Sequence, residues 1–156
     1  MALARKGILM GEAIVVGTDG SESAGRAVAE AVRLAKALDA ELHVVSAYEP
    51  LRDARIKGAP AGAAKVWAPL PDADVEVTLG EAAAAVRVHD VKVTTHALQK
   101  DPADALLDVA AEVGAGLVVV GNRGMHSAKR FVLGNVPNKV SHRASCNVLI
   151  VSTDQS

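Results

Sequence analysis

Residues 117–124, LVVVGNRG, and residues 134–136, GNV, decide the fold of this 156-residue chain. The first four of these residues are apolar, which is typical of a parallel strand that is buried on both faces. The strand leads into Gly121 and Gly124, and Gly134 follows after nine more residues, at the predicted start of a helix. Glycine lets the backbone approach an anion closely, and the first N–H groups of a helix have no intrahelical acceptor. The pattern therefore predicts a phosphate-binding site and, with it, a nucleotide site.

Short apolar runs alternate with helical patterns over the rest of the chain. Strands are predicted at residues 13–17, Leu42–Ala47, 91–98, 117–121 and 147–152. This alternation indicates an α/β fold, here an open, five-stranded, mostly parallel sheet with helices on both faces. Such sheets bind ligands at the carboxyl ends of their strands, where the strand order reverses. The turns at residues 18–21, TDGS, and 121–124, GNRG, both follow strand ends, so we expect them to meet at one crevice.

Four helices are predicted between these strands. Ser21 or Ser23 caps the first helix, whose apolar residues recur every three or four positions. The alanines of residues 72–88 favour a second helix, although the segment VEVTL within it is also compatible with an extended strand. The third helix begins at Asp101, a cap that is followed by proline at the first helical position. Asn135 is predicted to cap the fourth helix. The predicted buried faces consist of Ala24, Ala27, Val28, Ala31, Leu34, Ala35 and Leu38 in the first helix, Ala103, Leu106, Leu107, Ala110 and Val113 in the third, and Val136, Val140 and Ala144 in the fourth.

Residues 49–71 differ from the rest of the chain. They hold four of the six prolines and show no clear period, which predicts a long loop. A loop of this length without structure of its own is uncommon in a compact domain. Three interpretations stay open: a functional flap, a partly disordered insertion, or a helix that its sequence pattern conceals.

Composition narrows the class of protein. Half of the residues are hydrophobic but only 2% are aromatic, so we expect one domain with an aliphatic core and no aromatic platform for single-stranded nucleic acid. The formal net charge of -1 lacks the basic excess of nucleic-acid-binding proteins. A single cysteine cannot form an internal disulfide, and neither a secretory leader nor an apolar span of about 18 residues is recognisable. We therefore expect a soluble cytoplasmic protein with no nucleic-acid or membrane partner.

The sequence gives little indication of a catalytic site. The five histidines show neither the spacing of a metalloprotease nor a Cys/His zinc pattern. No lysine follows a glycine-rich loop as it does in a P-loop, and no serine stands in a nucleophile elbow. We therefore predict no metal site and no enzyme, with at most slow hydrolysis of a bound nucleotide.

The chain resembles the universal stress protein family, in particular the branch that binds ATP through glycines spaced G-x2-G-x9-G and followed by serine or threonine. All three glycines match. The resemblance rests on residues 13–21 (AIVVGTDGS), 101–110 (DPADALLDVA), 118–124 (VVVGNRG) and 140–151 (VSHRASCNVLIV). It implies one domain over residues 13–153 after an N-terminal extension at residues 1–12, with a Rossmann-like fold of the adenine nucleotide alpha hydrolase type. It also implies a homodimer formed through the last strand, residues 147–152.

The resemblance further implies a set of nucleotide-binding residues for ATP, bound alone or with Mg²⁺. Asp19 is expected near the adenosine portion, Val45 is expected to hold the adenine through its backbone, and the residues after the fourth strand are expected to line the ribose and the phosphates. The complete set is Thr18, Asp19, Val45, Val120, Gly121, Arg123, Gly124, Gly134, Asn135 and Val136. The last three would offer backbone N–H groups to the phosphates.

Simpler roles for the same residues stay open. Gly121 and Gly124 also suit an ordinary turn after a buried strand, and Asp19 also suits an Asp-Gly turn whose carboxylate caps the following helix. Arg123 is also compatible with a solvated loop residue.

Asn135 departs from the family pattern, because the ATP-binding members have a hydroxyl residue there. Asparagine keeps the backbone donor and has an amide that can donate to phosphate, but it is larger and also presents an oxygen. Three hypotheses therefore remain. The first is an ATP-binding regulatory module, the second is a cAMP-binding stress protein, and the third is a dimeric stress scaffold that needs no nucleotide. An enzyme of the ATP-pyrophosphatase type is a distant fourth, because no residues for an acceptor substrate are evident.

Overall fold

Strands and helices alternate along the part of the chain that the computed structural model describes, residues 12–48, 73–123 and 133–153. In chain order the elements are β1 Ile14–Gly17, α1 Glu22–Leu38, β2 Leu42–Ala47, α2 Ala73–Arg87, β3 Val93–Leu98, α3 Pro102–Val113, β4 Leu117–Gly121, α4 Asn135–Arg143 and β5 Asn147–Val151. The predicted loop at residues 49–71 and all but the last residue of the N-terminal extension lie outside the described residues. No helix in the described ranges is long and apolar enough to cross a membrane.

The five strands form one parallel sheet in the order β3-β2-β1-β4-β5. In the centre, Val15 of β1 lies in register with His43 of β2 on one side and Val118 of β4 on the other. The chain adds β2 and then β3 to one side of β1, and α3 then carries it across to the other side. The strand order therefore reverses between β1 and β4, and the predicted open parallel α/β sheet is confirmed.

Aliphatic side chains cover both faces of the sheet. Ile14 and Val16 of β1 pack with α1 and α2 on one face, while Val15 packs with α3 and α4 on the other, and all three side chains are fully buried. Because each central strand needs apolar side chains on both faces, its sequence is a continuous apolar run and not an alternating one. The low aromatic content is compatible with this packing because valine, alanine and leucine fill the space between the layers.

The helix starts agree with the sequence predictions in three cases and differ in the fourth. Ser21 caps α1, since its hydroxyl accepts from the Ala24 N–H at 3.1 Å. Ala73–Arg87 form α2, so the helix predicted for residues 72–88 is confirmed over the residues that the structure describes as α2, and VEVTL lies inside it. Asp101 caps α3, as predicted.

The prediction that Asn135 caps α4 is wrong. Gly134 is the cap residue, without a side-chain cap bond, and Asn135 is the first helical residue. The physical reason is that the Gly134 N–H donates to the Asn122 carbonyl at 2.9 Å, which holds Gly134 in an extended conformation just before the helix. Smaller differences concern strand ends: β1 begins at Ile14, β3 at Val93, and β5 ends at Val151.

The cap at Asp101 also joins α3 to α4. Its carboxylate accepts from the Ala103 and Asp104 N–H groups at 3.1 and 3.4 Å, and from the Lys139 ammonium at 3.1 Å. Burial opposes ionisation of this carboxyl, but the bond from Lys139 and the two backbone bonds outweigh it and lower the pKa below its ordinary value of 3.8. The stability that this carboxylate contributes is therefore present above that pH and is lost as the pH falls through the lowered pKa.

We expect Asp101→Ala to lower the free energy of unfolding by about 1 kcal/mol at neutral pH, as loss of a helix cap usually does. Asp101→Asn should lose less, because the amide oxygen still accepts from the backbone while the attraction to Lys139 is gone. Urea unfolding measures both. The difference between Asp101→Asn and the unchanged protein should shrink below pH 3.8, and a constant difference down to low pH would contradict the role of the charge.

Candidate functional site

A cavity with a volume of about 450 Å³ opens at the carboxyl ends of β1, β2 and β4, where the strand order reverses. Nine of the ten predicted binding residues line it: Thr18, Asp19, Val45, Val120, Gly121, Arg123, Gly134, Asn135 and Val136. The tenth, Gly124, lies outside the described residues. Four stretches of the chain that are distant in sequence therefore meet at one cavity.

Sequence reasoning missed part of the cavity wall. The further lining residues are Gly17, Ser21, Ala24, Ala47, Pro102, Leu106 and Pro137. Leu106 was predicted as a core residue of α3, and it does pack in the core while its side chain also closes the cavity. A Cβ at Gly17 would lie 3.2 Å from the Leu106 methyl carbons, so glycine at the end of β1 permits this close contact. The signal available in the sequence was the position of Gly17 immediately before the TDGS turn.

The turn between β1 and α1 is built by its own side chains. The Thr18 N–H donates to the Val45 carbonyl at 2.9 Å, which extends the β1–β2 ladder by one residue. The Asp19 carboxylate accepts from the Ser21 N–H at 2.9 Å, and the Thr18 hydroxyl accepts from the Gly20 N–H at 3.2 Å. The Asp-Gly turn interpretation is thus confirmed, but the helix cap is Ser21 and not Asp19.

These bonds also bear on Val45, the residue expected to hold adenine through its backbone. Its carbonyl oxygen already accepts from Thr18, and a carbonyl has capacity for one further hydrogen bond. Its side chain is buried and forms part of the cavity wall.

Two glycines of the array lie where a Cβ would be in tight contact with a neighbour. A Cβ at Gly121 would lie 3.3 Å from the Thr153 methyl carbon, and one at Gly134 would lie 3.3 Å from the Asn122 carbonyl oxygen. Both glycines therefore have a local packing role; the simpler turn role was suggested for Gly121 and Gly124, and Gly124 lies outside the described residues.

Fewer backbone N–H groups at the start of α4 are available to a phosphate than the sequence predicted. The Gly134 N–H, which was expected to face a phosphate, donates to the Asn122 carbonyl instead. The N–H groups of Asn135 and Val136 belong to the first helical turn, where no intrahelical acceptor exists, and both residues line the cavity. The positive end of the α4 dipole adds to their attraction for an anion.

Acidic side chains are scarce in the described cavity wall, where Asp19 is the single carboxylate and Arg123 provides a cationic group. Within the described ranges, no group of three or more His, Cys, Asp or Glu side chains is arranged to hold a metal ion. An anion at this site would therefore be bound chiefly by backbone dipoles.

A histidine pair lies on the same face of the sheet as Val45. His43 is two residues before Val45 in β2, and His96 lies beside Val45 in β3. His43 Nδ1 and His96 Nε2 are 2.9 Å apart, and the ring centroids are 5.2 Å apart, so the rings meet end to end and share a hydrogen bond. Glu41 approaches the other ring nitrogen of His43 at 3.8 Å. Burial, and after it the proximity of His43, lower the pKa of His96 below its ordinary value of 6.5, while Glu112 opposes the shift.

Comparison with known proteins identifies the family. The model of the universal stress protein family matches residues 10–152. The chain belongs to the universal stress protein family. A universal stress protein of Mycobacterium tuberculosis is 40% identical over 150 residues, a match that covers 90% of this chain and 95% of the relative.

Solved structures of the family show the same fold. A universal stress protein solved in complex with cAMP is 33% identical, with a TM-score of 0.71, and the match covers 93% of this chain and 99% of that one. A universal stress protein from Archaeoglobus fulgidus is 26% identical, with a TM-score of 0.68 and coverage of 89% and 97%.

Because the pKa of His96 is lowered in the folded protein, the unfolded chain binds a proton more readily below pH 6.5. We therefore expect the free energy of unfolding to be highest above that pH and to fall as the pH drops through the lowered pKa. His96→Gln should reduce this pH dependence, since glutamine cannot bind the proton but can still bond to His43. Urea unfolding at several pH values measures the effect.

The matched control is His89→Gln, because His89 is exposed in the turn after α2 and is not part of the pair. It should keep the pH dependence of the unchanged protein. Equal pH dependence in the His96 and His89 variants would exclude the histidine pair as its source.

Proposed function

We propose that this universal stress protein is a regulatory module that binds an adenine nucleotide in the cavity between β1 and β4. ATP is the first candidate ligand. The observation that carries the proposal is the meeting of nine predicted binding residues at one cavity. The cavity lies at the switch point of a parallel sheet, which is where α/β proteins bind nucleotides.

The cavity wall holds groups that suit both the base and the phosphates of a nucleotide. Val45, Val120 and Leu106 offer an apolar wall for a base, as small-molecule sites usually do. At the start of α4, the N–H groups of Asn135 and Val136 and the helix dipole favour a phosphate. Arg123 adds positive charge to the same wall.

Binding with little or no hydrolysis fits the described groups best. A general base must lie within hydrogen-bond reach of the water that attacks the phosphate. Asp19 is the one carboxylate in the described wall, and its Oδ1 accepts from the Ser21 N–H within the turn. This supports a nucleotide that is held as a signal and turned over slowly at most.

A cyclic nucleotide is the second candidate ligand. A relative that is 33% identical over nearly the whole chain was solved with cAMP. The Gly134 N–H is already used by Asn122, and a single phosphate needs fewer backbone donors than a triphosphate. The nucleotide-independent scaffold remains the outcome if neither ligand binds.

Calorimetric titration of the nucleotide-free protein with Mg-ATP, followed by displacement with cAMP, tests the proposal. We expect saturable binding with a Kd near 1 μM, which corresponds to about -8 kcal/mol. Asn135→Ser should tighten ATP binding by about 3- to 10-fold, the worth of one added hydrogen bond. If the displacement shows that cAMP binds more tightly than ATP, cAMP becomes the first candidate ligand and ATP the second.

Two further variants locate the site. Ala47→Phe fills the apolar part of the cavity and should abolish binding, whereas Ala111→Phe places the same side chain on the exposed side of α3 and should not. If the unchanged protein binds no nucleotide up to roughly millimolar concentration, where the binding free energy would be about -4 kcal/mol, the proposal is overturned in favour of the scaffold.

We also propose that two copies pair through β5. The sheet ends on β3 at one side and β5 at the other. Thr94 and Thr95 of β3 are exposed, whereas Val148 to Val151 of β5 are apolar and half-buried. An open apolar edge invites pairing with another strand, and a two-fold arrangement satisfies both copies at once.

Leu149→Glu should convert a dimer into a monomer, because two carboxylates would face each other across the two-fold edge. Sedimentation velocity at micromolar concentration measures the change, and circular dichroism checks that the monomer is folded. Thr95→Glu places the same charge on the other edge strand and should leave the dimer intact. A monomeric unchanged protein under these conditions would contradict the proposed dimer.

A further inference from the structure

Asn122 lies directly behind the cavity, between two residues that line it. Gly121 and Arg123 are part of the wall, whereas Asn122 is not. Its side chain points instead to the segment after β5, where the amide oxygen accepts from the Thr153 N–H at 3.1 Å and from the Thr153 hydroxyl at 2.6 Å. Thr153 is only 6% exposed, so this polar contact is shielded from water.

The backbone of Asn122 makes two more connections. Its N–H donates to the Val151 carbonyl and its carbonyl accepts from the Gly134 N–H, both at 2.9 Å. One residue therefore binds the end of β4 to the end of β5 and to the start of α4. Gly121 and Arg123, on either side of Asn122, and Asn135 and Val136, at the start of α4, all line the cavity.

Thr153 is itself held in place from two sides. The Arg26 guanidinium of α1 donates to its carbonyl at 2.7 Å. Its methyl carbon lies against Gly121, where even a Cβ would come within 3.3 Å. A shift of Thr153 would therefore reach the cavity wall through both Gly121 and Asn122.

We propose that Asn122, held by Thr153, is the positioning residue of the nucleotide site. It fixes the backbone of residues 121–123 against the first turn of α4, so that the N–H groups of Asn135 and Val136 face the phosphate at the correct separation from the wall. The site thus depends on a residue 31 positions away that follows the edge strand and does not itself line the cavity. This inference rests on the proposed nucleotide binding.

Nucleotide affinity is the first readout. We expect Asn122→Ala to raise the Kd for Mg-ATP by about 10-fold and Thr153→Val by about 3- to 10-fold, because bonds that hold binding groups in place are lost. Thr153→Ser keeps the hydroxyl donor and should stay within about twofold of the unchanged protein. Rescue by serine separates the hydrogen bond from the packing of the side chain.

A control variant separates positioning from general stability. Val86→Ala removes part of a fully buried side chain in α2, on the other face of the sheet from α3 and α4. It should lower the free energy of unfolding and leave the Kd unchanged at temperatures where the protein is folded. If Asn122→Ala and Thr153→Val bind Mg-ATP as the unchanged protein does, the positioning role is wrong.

Hydrogen exchange without nucleotide is the second readout, and it does not depend on the proposed function. The Gly134 amide, which is bonded to Asn122, should exchange faster in Asn122→Ala and Thr153→Val but not in Thr153→Ser or Val86→Ala. Faster exchange in a protein that binds no nucleotide would retain the link between the segments and reject the nucleotide. Unchanged exchange would overturn the positioning role whether or not nucleotide binds.

Discussion

The structure depends on the reversal of strand order between β1 and β4. In a parallel sheet each strand is followed by a crossover, and here the crossovers after β1 and β4 leave in opposite directions, so that α1 and α4 lie on opposite faces. The chain therefore separates above the ends of these two strands, and side chains from distant segments meet there. The cavity is a consequence of topology, and the local sequence determines only what lines it.

The glycine array has a structural and a functional side, and the two are difficult to separate by sequence. At Gly121 and Gly134 the missing Cβ permits contact with Thr153 and with the Asn122 carbonyl, contacts that exist without any ligand. A chain can therefore keep both glycines for packing alone. Anion binding depends in addition on the N–H groups at the start of α4, and one of these groups belongs to Asn135.

Sequence predicted the fold well because the central strands must be apolar on both faces, which makes runs such as 117–120 unmistakable. Because strand ends in a parallel sheet share one edge, it also predicted that the turns after β1 and β4 meet at one crevice, whereas Val45 and the residues of α4 were implied by the family resemblance. It failed where a partner distant in sequence decides the outcome: Asn122 determines the conformation of Gly134 and so moves the cap of α4 by one residue. Leu106 was missed as a wall residue for a related reason, because its helical spacing identifies a buried face but not what lies beyond it.

The unequal edges of the sheet limit how many copies can join. If two chains meet through β5, the resulting continuous sheet has β3 at both of its ends, and each end carries the exposed residues Thr94 and Thr95. Exposed polar residues at these ends would disfavour pairing with a third copy, so that assembly would close at two and would not proceed to an open fibre. In such a dimer, the polar edge would limit the number of copies and the apolar edge would join them.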